Sequence, residues 1–320
     1  MKENFYLKEG IPVFIDKEQY WGEVDEGKMI KHLELIKEKG FSYFKKKLLV
    51  EDKGFYDFIF DETRADWRFC LPFKKNWKVL DAGAGLGANT FVLAKEADKV
   101  YSIEKSFLRA KFLNLRKKEE NQSNIDVIVA DSLQLPFESE TFDLVIANGL
   151  FEWLGVTERF KSPKKAQEHF LKEAIRVLKQ GGYLYIGIEN RFAASYLLGG
   201  LDHSGLRYTS WMPRFMANLY AKIRTGKKYR TYTYSRSGYG KILKKAGFKN
   251  IEFYLPLPGY NAPRHIISYN HFEGLKFIVA NIMGGLNFRK KILKKIIRFP
   301  FVARVWRIMF FSFDIFAQKP

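Results

Sequence analysis

The chain is poor in the residues that build covalent staples and metal clusters. A single cysteine, Cys70, among 320 residues excludes an internal disulfide and any cysteine-based zinc cluster. The five histidines are scattered without a His-x-x-x-His spacing, so no metal is expected. Met1-Lys2-Glu3-Asn4 has no apolar leader, and a cytoplasmic location is the expectation. Long apolar runs are also missing. The most apolar tract, Ile296 to Ala317, is broken by Arg298, Pro300, Arg304, Arg307 and Asp314, and a charge at mid-span costs about 2.5–3.5 kcal/mol. Acidic residues are scarce: 35 stand against 55 Lys and Arg, a formal net charge of +20. Such an excess suits nucleic acid, an acidic substrate or an anionic membrane surface. The cations gather in Lys45-Lys46-Lys47, in Lys222 to Arg236 and in Arg289 to Arg307. No aromatic RNA-reading motif accompanies them, which makes nucleic acid the less favoured partner.

The chain does carry a strand–turn–helix signal. Val79-Leu80-Asp81-Ala82-Gly83-Ala84-Gly85-Leu86-Gly87 reads as a buried strand ending in an acid and a glycine-rich turn, with a helix following over about Ala88 to Ala97. Bare backbone at such a turn lets a nucleotide-like ligand lie close. Two cofactors fit. Gly83-x-Gly85-x-x-Ala88 matches the dinucleotide fingerprint. Glu104, at the end of the next strand, Val100 to Glu104, lies about 20 residues on, where an acid would bind ribose. On that reading the protein is an NAD-dependent oxidoreductase. The same residues are also spaced Asp81-x-Gly83-x-Gly85-x-Gly87.

Further elements follow at short spacing. Ile125 to Ala130 reads as a strand ending at Asp131-Ser132-Leu133, and Thr141 to Asn148 as another. Phe170, Ala174, Val177 and Leu178 mark one face of a helix from Ala166 to Lys179, stopped by Gly181-Gly182 before a strand Tyr183 to Ile188. Alternating strands and helices predict an α/β, doubly wound, mostly parallel sheet. Before it, Met29, Leu33 and Ile36 place a helix over about Asp25 to Lys39 in a cap of residues 1–76. The core spans 77–257, with an insertion at 189–236 and a helix Ser237 to Ala246 leading to a strand Ile251 to Leu257. A basic, aromatic extension, 258–320, ends in a candidate final strand, Met309 to Ala317.

The Asp81–Gly87 turn resembles motif I of the class I S-adenosylmethionine (SAM) methyltransferases, and the resemblance runs from Trp77 to Ile188. It implies a seven-strand Rossmann-like sheet and SAM as cofactor. Asp81, Gly83, Gly85 and Gly87 would shape the cleft. Glu104 would take the ribose hydroxyls and Asp131 the adenine amine, with Ser132 and Leu133 beside the ring. Asn148, after the fourth strand, would face the methyl group. Enzymes that methylate base amines usually have a Pro-Pro-aromatic turn there. This chain has Asn148-Gly149-Leu150-Phe151, which argues against that chemistry.

A narrower group of bacterial and archaeal methyltransferases is similar over most of residues 20–270. The similarity is carried by Tyr20-Trp21-Gly22-Glu23, Asn148 to Trp153, Ile188-Glu189-Asn190-Arg191-Phe192, Asp202 to Arg207 and Tyr229 to Ser235. That group implies O-methylation of a sugar or glycoconjugate, with an acceptor that can be lipid-linked. A tRNA or rRNA methyltransferase is the alternative that would use the positive charge. His203 and Glu152 are the candidate catalytic residues, as base or hydroxyl acceptor. Glu189, Arg191, Arg207, Tyr208, Arg230 and Tyr232, with Tyr234, are the candidate acceptor-binding residues. Residues 288–307 combine cations with Ile, Phe, Val and Trp306, a composition suited to peripheral contact with an anionic membrane at its inner face.

Overall fold

The computed structural model describes residues 5–17, 20, 22–156, 159–281 and 299–320. Trp21 and most of the 288–307 segment lie outside these residues. The strands are β1 Tyr6–Lys8, β2 Ile11–Val13, β3 Lys78–Ala82, β4 Lys99–Glu104, β5 Ile125–Val129, β6 Phe142–Asn148, β7 Leu178–Glu189, β8 Lys249–Leu257, β9 His265–Ser268 and β10 Ser312–Gln318. They form one sheet in the order β1-β2-β5-β4-β3-β6-β7-β10-β8-β9. The run β5-β4-β3-β6-β7 is parallel. β10 lies antiparallel between β7 and β8. Those seven strands are the expected core, and the last of them lies antiparallel, inserted between its two predecessors.

Three strands extend it. The β1–β2 hairpin turns at Glu9-Gly10, both with positive φ, the geometry of a tight hairpin turn. β9 folds back on β8. All three are too short to show a period in sequence. Boundaries also shift. The helix expected to run to Lys179 stops at Val177, because Leu178 is already extended and pairs with Phe142. The helix after the glycine turn is regular only over Thr90–Ala94.

The helices that matter for the site are α1 Glu26–Lys39, α2 Phe41–Glu51, α3 Lys53–Phe60, α4 Thr90–Ala94, α5 Phe107–Glu119, α6 Pro163–Val177, α7 Ala194–Leu197, α8 Arg214–Thr225 and α9 Arg236–Lys245. α10 Phe272–Asn281 and α11 Pro300–Ile308 precede the last strand. One face of the sheet packs on α6 and α9 through Phe170, Leu171, Ala174, Tyr239 and Leu243. The other packs on Trp67, Phe91 and Leu113. In the cap, Met29, Leu33 and Ile36 bury the expected stripe of α1, against Phe44 of α2, Phe112 of α5 and Leu86 of the glycine turn. The cap therefore rests directly on the turn. Strand order reverses at β3, which opens a crevice at the carboxyl ends of β3 and β6, the place where such sheets bind ligands.

Candidate active site

The glycine turn is held by its neighbours. Gly83 and Ala84 donate to the Ile103 carbonyl, each at 2.9 Å. Gly83, Gly85 and Gly87 all have positive φ, but they serve different ends. A Cβ on Gly85 would lie 2.5 Å from Nη2 of Arg109 beside the crevice. One on Gly87 would lie 2.6 Å from Leu113 and 2.7 Å from Phe91. Gly87 thus lets the turn press onto α4 and α5 from behind, where no ligand reaches.

The three acids at the strand ends are all engaged. Asp81 accepts from Thr90 Oγ1 at 2.6 Å, and burial pushes its pKa up to about 6 against the pull of Thr90 and Arg64. Glu104 accepts from the Gly85 and Ser106 amides, each at 3.0 Å. Asp131 accepts from the Leu133 amide at 2.9 Å and from Lys105 Nζ at 3.0 Å.

One cavity joins these groups. Asp81, Gly83, Gly85 and Glu104 line it from one strand pair. Asp131, Ser132 and Leu133 line it from the β5 side and Asn148 from the β6 side. Two arginines that sequence reading left unassigned also reach it. Arg64 comes from the 3₁₀ segment Glu62–Cys70 and donates to the Phe58 carbonyl at 3.3 Å, while its buried Nε has no hydrogen-bond partner among the described residues. In sequence only its place beside Trp67, in Arg64-Ala65-Asp66-Trp67, marks it. Arg109 lies 3.1 Å from Glu23 of the cap and 3.6 Å from Glu104. Beneath the cavity, Asn148 Nδ2 donates to Tyr185 Oη at 3.3 Å, and Tyr185 donates to Asp314 of β10 at 2.9 Å. The Trp67 ring stacks on Tyr185 at 3.8 Å, and its Nε1 donates to Asn89 at 3.0 Å.

Beside Trp153 of the cavity wall stands a second group. His203 Nε2 is 3.0 Å from Glu189 Oε2 and 3.8 Å from Glu152 Oε1, and its ring packs edge-on to Trp153 at 4.8 Å. Glu152 is 0 % exposed, and neither of its carboxylate oxygens has a hydrogen-bond partner among the described residues. Burial, reinforced by the charge of Glu189, raises its pKa to about 8. Burial alone would lower the His203 pKa, but Glu189, Glu152 and Asp202 outweigh it and raise it to about 9. Glu189 also accepts from Tyr260 Oη at 3.0 Å, a partner sequence reading did not name. The ligand-capable atoms of Glu152, Glu189 and His203 lie within 4.8 Å of one another, a spacing that would also admit a metal ion. Histidine spacing could not reveal such a group, because its members come from three separate segments.

The arginines assigned to the acceptor hold loops instead. Arg191 donates to the Ser210 and Met212 carbonyls at 2.7 and 2.6 Å. Arg207 donates to the Gly199 carbonyl at 2.7 Å. Arg230 donates to the Gly155 and Phe160 carbonyls at 2.6 and 3.1 Å. Inserted loops leave carbonyls without strand partners, and these guanidinium groups satisfy them. Tyr232 stacks on Tyr229 at 5.6 Å with Arg214 over its ring, and Tyr234 donates to Gln167 at 2.8 Å. Tyr208 is exposed. Asp202, beside His203, ties its loop together by accepting from Ser204, Thr209, Ser210 and Tyr229.

A doubly wound sheet with a crevice at its strand ends, an acid at the end of each of three strands and a glycine turn is the architecture of nucleotide-binding α/β folds. Residues 80–186 match the model of the methyltransferase domain family. The relatives are varied. An uncharacterised protein of Methanocaldococcus jannaschii is 28 % identical over 199 residues, 62 % of this chain and 78 % of that one. A probable ribosomal RNA small subunit methyltransferase A of Thermococcus sibiricus is 39 % identical over 75 residues, 23 % of this chain and 26 % of that one. Phosphoethanolamine N-methyltransferase 1 of Caenorhabditis elegans is 31 % identical over 123 residues, 38 % of this chain and 24 % of that one. The chain thus spans only about a quarter of the last two proteins. A Haemonchus contortus phosphoethanolamine N-methyltransferase 2, solved with S-adenosylhomocysteine, superposes at a TM-score of 0.48, with 17 % identity over 89 % of this chain and 59 % of that one.

The residues lining the cavity fit SAM. Glu104 and Asp131 bring carboxylates to the cavity lining for ribose and adenine, Arg64 brings a cation for the carboxylate of the amino-acid end, and the buried Arg64 Nε and Asn148 Oδ1 have no hydrogen-bond partner among the described residues.

Proposed function

We propose that this protein methylates a hydroxyl group of a sugar or glycoconjugate acceptor. One observation carries the reading: Glu152, Glu189 and His203 stand together against Trp153 of the cofactor cavity. SAM, when bound, supplies an electrophilic methyl group on a sulfonium. The protein's part is alignment and removal of a proton, because a hydroxyl attacks efficiently only as it loses one. Glu104 and Asp131 orient the nucleoside, Arg64 holds the carboxylate end, and Trp153, shared between the cavity lining and the His203 ring, links the two sites. His203 takes the acceptor's proton once it is itself deprotonated, and Glu189 orients its ring. Glu152 accepts from a second acceptor hydroxyl. The missing Pro-Pro-aromatic turn after Asn148 fits an oxygen acceptor better than a base amine.

The test is transfer of label from methyl-labelled SAM to a panel of glycans, glycolipids, phosphoethanolamine and transfer or ribosomal RNA. Alkali-stable label on a glycan or glycolipid is the expected result. Label on RNA or phosphoethanolamine alone overturns the reading.

A further inference from the structure

We infer that α8 and the adjoining 197–201 loop form a docking face for an anionic membrane surface. α8 is two-sided. Ala217 and Ala221 are buried, while Phe215, Leu219 and Ile223 are 74 %, 61 % and 72 % exposed. Four-residue spacing sets these three on one stripe. Leu198 and Leu201, earlier in the same insertion, are likewise 76 % and 60 % exposed. A cluster of exposed large apolar side chains marks an interaction site rather than ordinary surface.

Charge selects the occupant. From His203 to Ile251 the chain contains no Asp or Glu. Lys222, Arg224, Lys227 and Lys228 are all exposed, at the end of the stripe. A basic helix with an apolar stripe and too short to span matches the pattern of interfacial helices; among the described residues no helix is long and apolar enough to cross. Nucleic acid would use the cations but gains nothing from exposed Leu219 and Ile223, since its contacts are ionic, polar or stacking.

The face is fixed relative to the acceptor side. Arg191, just past β7, holds the Ser210 and Met212 carbonyls at the root of α8, and Trp211 Nε1 donates to the Ala193 carbonyl at 3.2 Å. The chain that turns His203 toward Glu189 exposes Leu201 two residues earlier. The docking face and the His203–Glu189 group thus belong to one tied insertion. The inference deepens the proposed glycan reading toward a lipid-linked acceptor, but the docking itself does not depend on the methylated atom.

The test is flotation of the full chain with phosphatidylcholine vesicles, with and without phosphatidylglycerol. Two variants accompany it: Phe215→Ser/Leu219→Ser/Ile223→Ser, and Lys222→Gln/Arg224→Gln/Lys227→Gln/Lys228→Gln. S-adenosylhomocysteine affinity reports that each still folds. Flotation only with the anionic vesicles, cut about tenfold or more in each variant with cofactor affinity unchanged, is expected. Should the apolar variant lose cofactor binding, the cation variant decides. Absence of flotation, or flotation of a folded variant equal to the parent, overturns the inference. It is also overturned if the cation variant loses RNA binding while still floating. Sedimentation showing that the apolar variant only dissolves a dimer, with flotation intact, does the same. Methyl transfer to a soluble acceptor, measured alongside, separates failure of docking from failure of the glycan reading.

Discussion

The two halves of the site treat their acids in opposite ways. On the cofactor side Asp81, Glu104 and Asp131 each accept from a hydroxyl, an amide or a lysine within 3.0 Å. On the proposed acceptor side Glu152 is fully buried with neither oxygen hydrogen-bonded among the described residues, and Glu189 Oε2 and His203 Nε2 meet without a well-aligned hydrogen bond. The acids of the cofactor half are satisfied by folding. The acceptor half holds unsatisfied polarity that a ligand would complete, and such a state costs stability unless something is gained on binding.

The sharpest way to separate the halves is His203→Ala. Turnover should fall roughly 10²- to 10⁴-fold while S-adenosylhomocysteine affinity stays level in calorimetry. Equal loss of both would dissolve the distinction. Asp131→Ala should do the reverse and weaken S-adenosylhomocysteine about 10- to 100-fold, as expected for a lost hydrogen bond to a charged group. An unchanged affinity would remove Asp131 from the nucleoside site.

Within the glycine turn the contrast is finer. Gly87→Ala pushes a methyl group into Leu113 and Phe91 and should lower unfolding free energy by about 1–3 kcal/mol. Gly85→Ala meets only the far end of Arg109, so it should cost less stability and more cofactor affinity. Chemical denaturation beside calorimetry reads both, and equal stability losses would contradict the assignment of Gly87 to packing.

The smallest effect is a shift in a pH profile. Because Glu189 and its neighbours raise the pKa of His203 to about 9, turnover should climb as pH rises toward that value. Glu189→Gln removes a negative charge that favours imidazolium, so the His203 pKa falls and the climb moves to lower pH. A rate profile that stays in place would remove His203 as the titrating base.

The same contrast explains what the sequence could disclose. Asp81, Gly83, Gly85, Glu104 and Asp131 each sit at a strand end, and strand ends are visible as apolar runs meeting an acid or glycine. The cavity gathers them because the parallel sheet aligns those ends. Glu152, Glu189, His203 and Tyr260 belong to four segments whose meeting depends on the path of the insertions, which no periodicity encodes. Arg191, Arg207 and Arg230 look like ligand clamps in sequence because a chain of letters does not show which loop carbonyls will lack partners. The β1–β2 hairpin and β9 escaped notice because three or four residues are too few to establish a pattern.

The place of β10 has a consequence for how the molecule comes into being. β10 follows every other strand in the chain, yet it lies between β7 and β8, and its register sets Ser312 opposite Glu189. Asn190 holds the Ile308 and Phe310 carbonyls at 2.7 and 2.8 Å, and Asp314 takes the Tyr185 hydroxyl. During synthesis from the N-terminus, β8 emerges with only β9 to pair with, while the glycine turn and its parallel strands can already be assembled. The nascent protein can therefore acquire its cofactor crevice before it acquires a settled acceptor side. It gains competence for chemistry only when the last strand threads into the gap.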